Sequence, residues 1–75
     1  MTLDEVALGV PVRVLDFKGM AEIDETRLSA LGLRPGVPLT KILNTPLQDP
    51  VECLVGTQLL AVETRLLRRI VVEAV

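Results

Sequence analysis

Short apolar runs with alternating polar positions dominate this chain, and glycines and prolines punctuate them. Val12 and Val14 alternate with Arg13 and Leu15, which predicts a first strand over 10–17. Pro11 at its start fits the first residue of a ladder or an edge. Val37 to Asn44 predicts a second strand. Its alternation is imperfect, because Leu39 and Leu43 share one parity and Ile42 the other, so a bulge is expected near Lys41. Val51 to Val55 and Gln58 to Val62 predict the third and fourth strands, joined by a tight hairpin at Gly56-Thr57. Ile70, Val72 and Ala74 alternate with Val71, Glu73 and Val75 in a fifth strand over 69–75.

Helical signals are few. Thr2 and Glu5 have the spacing of a capping box. Glu22, Asp24 and Glu25 lie in a loop, with Asp24 as N-cap of a two-turn helix over 25–31. Leu28, Leu31 and Leu33 give that helix its apolar spacing. So short a helix needs a surface to lie on, and it is placed as a plug over one end of the strands. Gly32 stands where a helix end needs a left-handed residue, with Leu33 folding back as its hydrophobic contact. Arg34-Pro35-Gly36-Val37 then reads as a turn, with proline second and glycine third. Pro46 and Pro50 close another corner around Asp49. Thr64 to Leu67 reads as one helical or 3₁₀ turn capped by Thr64. Five short strands, one or two short helices and no βαβ spacing predict an all-β fold, a small five-stranded barrel formed as one domain over 1–75.

Composition narrows the function. The chain has 75 residues, 49% of them hydrophobic, and Phe17 is the single aromatic. It lacks the ring platforms that dock polyproline or stack bases. A net charge of −2 argues against nucleic acid. Cys53 is the only cysteine, which fits a reducing compartment and a buried thiol. No histidine is present, no phosphate-cradling glycine loop, and no defensible acid–base pair. An enzyme is not expected, nor a cofactor or metal. Neither a leader nor an apolar run of about 18 residues is evident, so any membrane link is expected to go through a partner.

One combination of residues is distinctive. Arg27-Leu28, Leu31-Gly32-Leu33 and Pro35-Gly36 are followed ten residues later by Pro46-Leu47 and Asp49-Pro50, and then by Leu60 to Val62 and Ile70 to Glu73. This pattern resembles the FeoA proteins of bacterial ferrous iron transport from about Gly9 to the C-terminus. The resemblance implies an SH3-like barrel in the cytoplasm, reaching the inner face of the membrane through its partner. It implies accessory, non-catalytic work on FeoB, the Fe²⁺ transporter with a cytoplasmic G domain. Three positions depart from the family: Gln48 replaces the usual glycine before Asp-Pro, Glu63 stands where arginine often follows the fourth strand, and the helix start is acidic.

On this reading Arg27, Leu28, Leu31 and Leu33, with the basic cluster Arg65, Arg68 and Arg69, form the expected partner interface. Gly32, Pro35, Gly36, Pro46, Asp49 and Pro50 set the turns. A rival reading is a free-standing module similar to the C-terminal domain of metal-dependent repressors. The C-terminal strand ending at Val75 is the expected edge for strand exchange into a homo-oligomer.

Overall fold

A computed structural model describes all of residues 1–75. Five strands form one antiparallel sheet: β1 (Pro11–Phe17), β2 (Pro38–Asn44), β3 (Val51–Val55), β4 (Gln58–Val62) and β5 (Ile70–Ala74). Their spatial order is β4-β3-β2-β1-β5. The sheet wraps around one core of 15 buried residues, all apolar apart from the Cys53 thiol. Helix α1 (Glu22–Ala30) links β1 to β2, and the single turn α2 (Thr64–Leu67) links β4 to β5. A 3₁₀ turn over Leu3–Glu5 precedes the sheet.

Alternation sets the inward faces. Val12 and Val14 of β1, Val51, Cys53 and Val55 of β3, and Ile70 and Val72 of β5 are buried. The bulge in β2 lies at Ile42, where the register shifts between Lys41 and Leu43. It turns both Ile42 and Leu43 outward and leaves Lys41 buried. No anionic partner faces the Lys41 ammonium, so its stem crosses the core edge while the charge reaches toward water. A second bulge, without a sequence signal, falls at Leu15 of β1.

Helix α1 ends as its sequence requires. Gly32 sits at φ 97°, the Leu33 N–H donates to the Leu28 carbonyl at 2.9 Å, and the Gly32 N–H to that of Ser29 at 3.0 Å. Those two bonds define a Schellman end, and Leu28 and Leu33 enter the core together. Arg34 to Val37 form the expected turn, with Gly36 at φ 92° and the Val37 N–H donating to the Arg34 carbonyl at 3.2 Å. The turn is fastened to β1: the Gly36 N–H donates to the Val14 carbonyl at 2.8 Å, and Arg13 Nη1 to the Gly36 carbonyl at 3.0 Å.

The start of α1 differs from expectation. The helix begins at Glu22 with Ala21 in the N-cap position, its side chain contributing no bond. Asp24 is therefore inside the helix, not its cap. The three acids of the first turn complement the helix dipole, which does the work a capping side chain was expected to do. Leu31 is also corrected: it lies beyond the helix, half-exposed, and only Leu28 is a fully buried apolar residue of α1.

Candidate protein-docking face

The face built by α1, α2 and the β2–β3 corner is held by polar links. Asp24 and Leu28 are one helical repeat apart and so share the inward side of α1. Leu28 enters the core. Asp24 instead meets Arg65 of α2, accepting from Nη1 at 3.1 Å and Nη2 at 3.0 Å. Glu63 accepts from Arg65 at 2.8 Å on one carboxylate oxygen and from Arg27 of α1 at 2.8 Å on the other. Arg27 also lies 3.5 Å from Asp24. Four alternating charges thus close a circuit between α1 and α2.

A fork of two parallel bonds to a carboxylate is the strongest geometry for such a pair. The Arg65 guanidinium hydrogen-bonded to Asp24 holds its carboxyl below the usual carboxylate range, and Asp24 in turn raises Arg65. Exposed ion pairs add little stability singly. This network joins two elements that meet little else, so its effect is positional.

The β2–β3 corner is tied to the same place. Asp49 Oδ1 accepts from the Thr64 N–H at 2.9 Å, and the Thr64 hydroxyl donates to the Gln48 carbonyl at 2.6 Å. Thr64 is not the N-cap of α2: Glu63 holds that position, and the neighbouring strand corner satisfies the free N–H of Thr64. Gln48 takes positive φ, 61°, despite its side chain. Bonds from its N–H to the Thr45 carbonyl at 2.7 Å and from Thr64 to its own carbonyl over-determine that conformation.

The expected interface residues divide. Leu28 and Leu33 have no exposed surface and are core residues, so neither touches a partner. Leu31 and Arg27 remain accessible. Arg65 is occupied by Asp24 and Glu63, which separates it from Arg68 and Arg69. Those two arginines are exposed and take part in no ion pair. Lys18 joins them: its N–H donates to the Arg69 carbonyl at 2.8 Å across the β1–β5 end. Lys18 was missed because it is 51 residues from Arg69 in the chain, and only the strand pairing brings them together. The Arg69 guanidinium lies over Gly19, where a Cβ would come within 2.9 Å of Nη1.

No three His, Cys, Asp or Glu side chains converge within metal-ligating reach. Burial pushes the Cys53 thiol up to about 11, which leaves it an inert thiol at neutral pH. The one surface depression, lined by Pro38, Leu39, Thr40, Leu54 and Gly56, is about 90 Å³, small beside the roughly 300 Å³ or more of ligand sites. No helix is long and apolar enough to cross a membrane.

A strongly bent five-stranded antiparallel sheet around one core, with a helical turn before the last strand, defines a small SH3-like barrel. The chain belongs to the FeoA family, whose FeoA domain matches residues 1–74. It is 31% identical to iron(II) transport protein A of Clostridium thermocellum, with a TM-score of 0.85, and covers 46% of that protein while being covered completely itself. It thus spans less than half the length of that relative. FeoA of Chlorobium tepidum is 28% identical with a TM-score of 0.92, over all of this chain and 70% of the other. FeoA of Stenotrophomonas maltophilia is 26% identical with a TM-score of 0.78, over 97% of this chain and 89% of the other. That protein was solved with zinc and is described as a prokaryotic SH3 domain protein proposed as a ferrous iron transport activating factor. No curated protein matches the chain.

Proposed function

We propose that this FeoA protein is a non-catalytic cytoplasmic accessory of ferrous iron uptake that docks on the cytoplasmic part of a FeoB-type transporter. Membership of an iron(II) transport family supplies the context. The observation that carries the docking reading is the face itself. A four-charge network fixes α1 against α2, while Lys18, Arg68 and Arg69 take part in no ion pair in a chain of net charge −2. Strand pairing brings Lys18 and Arg69 to one end of the sheet, and unpaired cations there on an acidic protein fit an acidic patch on a partner. Docking modulates transport only through different affinities for two transporter states.

The test is a titration against the purified G domain and the full-length transporter of the same genome, with and without a GTP analogue. The Arg68→Glu, Arg69→Glu double variant stays folded by circular dichroism. Its affinity falls by at least about tenfold at low salt, and the salt dependence of binding weakens with it. Failure of the wild-type protein to bind full-length transporter in every nucleotide state would overturn the proposal.

A further inference from the structure

The outer edge of β4 is bare over Gln58 to Ala61 and closes at Val62, which is fully buried. β4 is the last strand of the sheet on its side and pairs only with β3. No other backbone or side-chain hydrogen bond reaches Gln58 to Val62, so its outward N–H and C=O groups have no protein partner. The strand reads Gln58-Leu59-Leu60-Ala61-Val62, with no charge and no proline. Natural edges are blunted by charged residues, prolines or covering segments, and Gln58 to Ala61 have none of them. Leu59 is 65% exposed and lies directly across from Leu54, itself partly exposed, so the edge continues into an apolar outer face.

We propose that β4 is a self-recognition edge: a second copy of this chain adds there, antiparallel, through its own β4. Charge selects the occupant. No ionised side chain lies on the strand, so a charged segment finds nothing to pair with, whereas two copies meet without bringing like charges together. Glu63, next in sequence, is already neutralised by Arg27 and Arg65. A two-fold axis through Leu60 opposes Leu59 with Ala61 and Leu60 with its own copy. This register overlaps the three central residues, leaves buried Val62 within its own core, and keeps each side chain on its own face. Leu60, packed against the core in one copy, then extends that core into the next. Two five-residue strands form a contact well below the roughly 1,200 Å² of stable interfaces, so the dimer is reversible and forms at high concentration.

The test is sedimentation velocity on the full chain from about 10 μM to about 1 mM, a range that reads weak dissociation constants, with amide exchange measured at both ends. The wild-type protein dimerises, and amide protection rises in Gln58–Val62. The Leu59→Lys, Ala61→Lys variant keeps its circular dichroism spectrum and its dissociation constant rises at least about tenfold, because lysines on an edge block pairing. Leu47→Lys, which charges a still more open leucine off the sheet edge, leaves the constant unchanged. Three results would overturn the proposal: a monomer throughout the range, a dimer indifferent to the edge lysines, or β4 amides that exchange alike at both concentrations. A monomer whose edge variant loses transporter binding would assign β4 to the heterologous partner instead.

Discussion

The sheet has two edges, treated in opposite ways. At β5 the N-terminus folds across the open side: Thr2 bridges to Val71, and the Val72 N–H donates to the Met1 carbonyl at 2.9 Å. The 3₁₀ turn behind this contact is anchored by Leu3, completely buried, and by Val6. Its capping box forms, with the Thr2 N–H donating to Glu5 Oε1 at 2.8 Å. At β4 no segment covers Gln58 to Ala61, and only Val62 is buried. The edge expected to be open, the C-terminal strand, is covered at its middle, and the bare one is an interior strand of the sequence. Edge protection here is a local device costing six N-terminal residues. Its absence along Gln58 to Ala61 leaves four uncharged residues open at the edge.

Breaking the closed edge gives the largest effect. Leu3→Ala empties a fully buried site and costs about 2–5 kcal/mol, as such truncations do. Urea denaturation measures the loss, and amide exchange at Val71 and Val72 rises ahead of exchange in β3. Thr2→Ala removes the cap and costs about 1 kcal/mol, again with faster exchange at Val72; equal acceleration across all strands would refute the local role of the cap.

Acid sharpens the comparison next. Hydrogen bonds from Thr2 hold the Glu5 carboxyl below its ordinary value, and those from Arg65 do the same for Asp24. Their unfolded values lie near about 4.3 and about 3.9. The stabilisation they give is present above those values and is lost as pH falls through the lower folded values, because the unfolded chain takes up protons first. Glu5→Gln flattens the acid limb at the β5 edge, and Asp24→Asn flattens it at α1; neither changes it at β4, where nothing titrates. The smallest effect is the most selective: Leu59→Lys alone shifts unfolding stability by no more than about 0.5 kcal/mol, while a destabilisation beyond about 1 kcal/mol would mean that Leu59 is packed rather than open.

Strands β3 and β4 were legible to the residue, since two short apolar runs flank a two-residue hairpin at Gly56-Thr57. The bulge at Ile42 was legible because the parity of apolar residues slips there. The first turn of α1 was not, because Ala21 carries no capping side chain and three acids within four residues look like a loop. The residues expected at an interface divide by exposure. Arg27, Leu31, Arg68 and Arg69 are on the surface as expected, but Leu28 and Leu33 are core and Arg65 is already engaged.

The sequence by itself determined the strands, the Schellman end at Gly32, the turn at Pro35-Gly36 and the family pattern. These rest on backbone sterics and on periodicities of two or a few residues, which neighbours in the chain carry between them. Only the tertiary structure decided that Asp24 finds Arg65, 41 residues away, that Lys18 stands beside Arg69, and that Met1 and Thr2 close one edge while β4 stays open. Each of those depends on which strands become neighbours. Strand order is settled by burying one shared core, a property of the whole chain that no local window contains.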